Sequence, residues 1–73
     1  MASVTIINIV GRAFTRDENG NLRELSVGDK LQEGDVLITA PMSVVEVDFN
    51  DGLPPAIFGA SEVVTINSET DEE

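Results

Sequence analysis

The chain has 73 residues, with 14 Asp and Glu against 4 Lys and Arg, a formal net charge of −10, and neither Cys nor His. Those totals exclude a disulfide framework and a thiolate or imidazole metal site. So large an acidic excess also argues against nucleic acid, whose binding needs basic residues to displace counterions from phosphate, and against anionic lipid headgroups.

One domain is the most this length can hold, and a domain so small buries only about 60% of its unfolded surface. Its core must be aliphatic, because Phe14, Phe49 and Phe58 are the only rings. The longest apolar stretch, Ile6-Ile7 and Ile9-Val10, is broken by Asn8 and falls far short of the ~20 residues of a membrane span. The first residues also lack the basic, apolar and small-residue regions of a signal peptide.

Taken in chain order, residues 4–15 are rich in β-branched and aromatic types and read as one long strand or two short ones. Strict alternation would put Ile7 and Ile9 together on one face, turned to the core, with Gly11 a bulge or bend where the pattern changes. Asp17-Glu18-Asn19-Gly20-Asn21 follows, and its Asn19-Gly20 step is a hairpin signal for a type I′ turn, with Leu22–Leu25 as the return strand. Ser26–Gly34 reads as a loop carrying two Gly-Asp pairs, Gly28-Asp29 and Gly34-Asp35, with Leu31 turned inward between them.

Val36–Thr39 is a strand, and Ala40-Pro41-Met42 turns the chain because Pro lacks a donor and restricts its predecessor. Ser43–Asn50 alternates most cleanly, with Val45, Val47 and Phe49 inward against Glu46, Asp48 and Asn50. Asp51-Gly52 turns again, Leu53-Pro54-Pro55 is a stiff connector, and Ala56–Phe58 and Glu62–Ile66 are the last strands. The whole reads as all-β: a small single-domain β-sandwich or partly open barrel of six to seven short antiparallel strands over residues 1–67. Residues 68–73 are acidic without apolar members, the composition of a disordered tail.

The inventory for catalysis is poor. Gly59-Ala60-Ser61-Glu62-Val63 starts like a nucleophile elbow but ends in Val, and no His is present to act as base. Glu46, Asp48 and Asp51 could pair for acid–base work, yet so small a domain offers little room for a cleft that raises a carboxyl pKa. The expectation is therefore no enzyme, no catalytic residue, no cofactor and no metal. The nearest approach to a calcium site is Asp17-x-Asn19-x-Asn21, which fails where an EF-hand loop needs Gly and Glu, since Leu22 and Gly28 stand there. Arg12, Arg16 and Arg23 lie near acidic neighbours such as Glu24 in the hairpin and fix register rather than bind a ligand. Unpaired edge strands are templates for adding a strand from a partner.

The order of parts carries more than any one motif: Ile9-Val10-Gly11-Arg12-Ala13, the Asn19-Gly20 hairpin, Leu22–Leu25, Val27–Leu31, Gly34–Thr39, Val45-Glu46-Val47 through Asp51-Gly52, and Phe58–Ser61. This succession, spanning about residues 4–66, resembles the N-terminal retention module of LapA-like RTX adhesins, the type I secreted adhesins of biofilm formation. A related pattern occurs in the periplasmic domain of FecR-type regulators. The resemblance implies a module that folds last, in the periplasm, and jams the outer-membrane pore of a type I secretion system while the rest of the adhesin stays at the cell surface. A bead about 25 Å across would be too wide for a narrow channel. Related adhesins are released by a periplasmic cysteine protease at a tandem alanine. Here Ala13, Ala40, Ala56 and Ala60 are isolated, so either a protease partner acts beyond Glu73 or the adhesin is retained permanently. The other expectations are a FecR-like signalling or interaction domain, and a calcium-dependent β module.

Overall fold

A computed structural model of the protein describes residues 3–66. The all-β expectation holds, with eight strands where six or seven were read. They are β1 (Ser3–Val10), β2 (Ala13–Arg16), β3 (Leu22–Glu24), β4 (Lys30–Gln32), β5 (Val36–Thr39), β6 (Val44–Asp48), β7 (Ala56–Phe58) and β8 (Val63–Thr65). Residues 4–15 resolve into two strands, and the additional strand, β4, lies inside the stretch read as a loop. Three residues are too few to show an alternation, and only Leu31 of them is apolar.

All pairings are antiparallel, in two four-stranded sheets ordered β4-β1-β6-β7 and β3-β2-β5-β8. Their inner faces share one core. The first sheet supplies Val4, Ile6, Leu31, Val45 and Val47, all fully buried, and the second Ala13 and Leu37, with Leu25 and Ile66 beside its strands. Ile9, Phe49, Ala56, Phe58 and Val64 pack around this cluster partly exposed. The body measures 27 × 27 × 21 Å with a radius of gyration of 11.0 Å, close to the roughly 11 Å of a compact chain this long.

Ile7 does not join the core. It is 38% exposed, because a β-bulge shifts the β1–β6 register between Ile6 and Asn8. Ile6 faces Val47 and Ile9 faces Val45, so Ile7 is the extra residue on the bulged strand. Ile6 and Ile9 can then both point inward although they are three apart. The bulge is thus at Ile7, and of the bulge or bend expected at Gly11 the structure has the bend. Gly11 (φ 90°) turns the chain between β1 and β2, where it leaves one sheet for the other.

The remaining crossings between sheets use turns. Ser26–Asp29 carries the chain from β3 to β4, Gln32–Asp35 from β4 to β5, Ala40–Ser43 from β5 to β6, and Gly59–Glu62 from β7 to β8. Residues 68–73, read as a disordered tail, lie outside the described residues.

Candidate functional site

The two Gly-Asp steps, Gly28-Asp29 and Gly34-Asp35, are one device used twice. In the first, the Asp29 amide donates to the Ser26 carbonyl at 3.0 Å and the Ser26 amide donates to Asp29 Oδ2 at 2.9 Å. In the second, the Asp35 amide donates to the Gln32 carbonyl at 3.0 Å and the Gln32 amide to Asp35 Oδ2 at 2.9 Å. Gly28 and Gly34 hold φ of 96° and 100° at the third position, as a type II turn requires.

Each Gly-Asp pair then faces a single residue across the ladder. The Gly28 amide donates to the Ile6 carbonyl and the Ile6 amide to the Asp29 carbonyl, both at 2.8 Å. Gly34 and Asp35 repeat both bonds with Ile66 at the same lengths. Two residues opposite one, led by a left-handed Gly, make a G1 bulge. Both isoleucines so gripped are fully buried.

The Asn19-Gly20 turn differs from the type I′ expected. Gly20 has φ 87°, but Asn19 is absent from the left-handed region. The Gly20 amide donates to the Asp17 carbonyl at 2.9 Å, and Asp17 and Leu22 are separated by a longer loop closed by the Asp17 amide donating to the Asn21 carbonyl at 3.0 Å. The Asp17 side chain selects this form. Its Oδ1 accepts the Asn19 and Asn21 amides, each at 2.9 Å, which a two-residue turn would not offer it.

Those bonds also bear on the calcium alternative. Asp17 Oδ2 accepts Asn21 Nδ2 at 3.4 Å, so this carboxylate is spent on its own loop. The bond from the Asn21 amide, foremost, holds its pKa below the ordinary carboxylate range. Asp48 Oδ1 accepts the Asn50 amide at 2.9 Å, and Asp51 Oδ1 accepts the Leu53 amide at 3.0 Å beside Gly52 (φ 81°). Among the described residues, no three acidic side chains converge as a metal site would need.

Ser61 sits in a turn at φ 59°, its amide donating to the Ala40 carbonyl at 3.3 Å. Glu46 and Asp48 share the outer face of β6, opposite Asn8 and Thr5 of β1. Arg12 forms a fork with Glu24, Nε to Oε2 and Nη2 to Oε1 both at 3.1 Å, and lies 5.2 Å from the Phe14 ring centre. The hydrogen bond, then the opposite charge, raises the Arg12 pKa and lowers that of Glu24. Arg23 reaches Asp29 at 3.4 Å, tying the hairpin to the first Gly-Asp turn.

Two anchors gave no signal in the sequence. The buried Thr39 hydroxyl donates to the Gly59 carbonyl and accepts the Glu62 amide, both at 2.7 Å, holding the β7–β8 turn. The buried Ser43 Oγ accepts the Arg12 amide at 2.9 Å and packs against Gly11. Thr and Ser inside apolar runs read equally well as exposed positions.

Compared with known protein families, characterised proteins and solved structures, the chain matches none.

Proposed function

We propose that the chain is a non-enzymatic retention module, a folded bead that holds a long type I secreted adhesin in its outer-membrane pore from the periplasmic side. The observation that carries this reading is the fastening of a small, closed body at its downstream end. The body is 27 × 27 × 21 Å, and Ile66, the last described residue, is fully buried with amide and carbonyl both bonded to the Gly34-Asp35 bulge. Tension arriving from downstream residues would have to extract Ile66 and strip β8 from β5 before it reached the rest of the core. A plug needs slow unfolding under load more than it needs a reactive group.

Deleting residues 1–66 from the full-length protein tests the reading. The expected result is adhesin released into the medium with secretion intact. Adhesin still held at the cell surface would overturn it.

A further inference from the structure

We infer that the outer face of the β4-β1-β6-β7 sheet, where Val10, Val44 and Ile57 lie beside Glu46, docks an amphipathic helix of a partner protein that sets a Lys or Arg within its apolar stripe. This goes beyond the retention reading and does not rest on it.

The register assembles the patch. Val10 pairs with Val44, and in the next outward row Asn8, Glu46 and Ile57 lie side by side across β1, β6 and β7. Val44 and Ile57 are diagonal neighbours on this face, within reach of one another. All three apolar side chains are exposed, Ile57 by 67%, and the bulged-out Ile7 follows Ile6 on the same strand. Elsewhere on this face the row Lys30, Thr5, Asp48 is polar, so the apolar residues gather at one end.

Glu46 lies at their margin, half-buried, with Asn8 and Ile57 across the strands and Val44 and Asp48 on either side along β6, and its carboxylate has no hydrogen bond or ion pair among the described residues. A carboxylate without a partner, set beside apolar side chains on a half-buried strand, gains more from a cation than one in open water. Two residues before Val44, Met42 is 92% exposed and holds φ 61°, a conformation that bulky L side chains rarely adopt. Gly or Asn would sit there without strain, so stability does not account for a methionine at this position.

Charge and width choose the occupant. A second copy would bring a further −10 and, face to face, set one unpaired Glu46 against another. A cationic partner meets both terms favourably. The outer strands of the β1-β6-β7 triplet are about 10 Å apart, the width of one α-helix.

The test is an NMR titration of the isotope-labelled chain with a synthetic amphipathic helix of about fourteen residues, about four turns, bearing a Leu stripe and one central Lys. A twin peptide carries Glu in that place. Expected are amide shifts confined to β1, β6 and β7 around Glu46, and an affinity about tenfold better for the Lys peptide. Glu46→Lys should reverse that preference, and Val44→Glu should abolish binding. Met42→Gly, which relieves backbone strain, should keep the fold and weaken binding severalfold. Equal affinity for the two peptides, shifts scattered over both sheets, binding that survives Val44→Glu, or no shift at millimolar peptide would overturn the proposal. So would sedimentation showing a dimer that Val44→Glu dissolves.

Discussion

Ile66 and Asp35 hold each other by main chain alone. The Ile66 amide donates to the Asp35 carbonyl at 2.8 Å, while the Gly34 amide returns a bond to the Ile66 carbonyl. The Ile66 side chain meanwhile fills a fully buried site. The last strand is therefore fixed by a turn that begins 34 residues earlier, at Gln32, and the first sheet-crossing turn fixes Ile6 by the same bonds. The two Gly-Asp pairs are six residues apart because three-residue β4 is all that separates one crossing from the next.

From this clamp, Ile66→Val should cost about 0.5–1.5 kcal/mol, the usual range for deleting one buried methylene. Gly28→Ala should cost about 1 kcal/mol, since a Cβ there meets nothing and only the left-handed backbone penalises it. Gly34→Ala should cost more, because the new Cβ also has to displace the Glu18 side chain. Urea titrations of the three variants check the order, and equal costs for the two glycines would show that the Glu18 side chain moves aside without cost.

Much of this fold was legible because turns announce themselves. Gly28-Asp29, Gly34-Asp35 and Asp51-Gly52 mark changes of direction, and the alternation of Val45 and Val47 fixes the inward face of β6. The sequence is ambiguous where one residue changes the phase. Ile6, Ile7 and Ile9 are chemically alike, and only pairing with β6 decides which one is extra. The exposed patch was hidden for a related reason. Val10, Val44 and Ile57 are far apart in sequence and meet only through register.

The bulge separates adjacent isoleucines by energy. Ile6→Ala should cost about 2–5 kcal/mol, as for other fully buried aliphatics, whereas Ile7→Ala should stay within about 0.5 kcal/mol. Chemical denaturation of both variants measures the contrast. A severe loss at Ile7 would place the extra residue elsewhere on β1.

Among the described residues, Thr15 is the one fault in the core. It is 3% exposed, paired with Arg23 and Leu37 in the sheet, and its hydroxyl has no hydrogen-bond partner. A buried, unpaired hydroxyl carries a desolvation penalty of about 1–3 kcal/mol that a methyl group does not. Thr15→Val should therefore stabilise the protein by about 1 kcal/mol, raising its melting temperature by roughly 4–8 °C for a domain of this size. Calorimetry reads that shift directly. A lower melting temperature would mean that the hydroxyl finds a partner, such as an ordered water.

Asp17 supplies a pH dependence whose sign is fixed. Bonds from the Asn21 and Asn19 amides favour the charged form, so the folded pKa lies below the ordinary value of 3.8. The stabilisation is therefore complete above the unfolded pKa and is lost as pH falls through the lowered folded value. Asp17→Ser, which can accept one amide bond but carries no charge, should be less stable than the wild type by a constant amount above roughly pH 5. That gap should narrow steadily in more acid solution. Protonation of the other acidic groups relieves the repulsion of a chain with net charge −10, but it does so in both proteins and cancels in the difference. Paired urea titrations between pH 7 and pH 2 measure the gap. A gap independent of pH would show that the Asp17 carboxylate closes this loop no better charged than neutral.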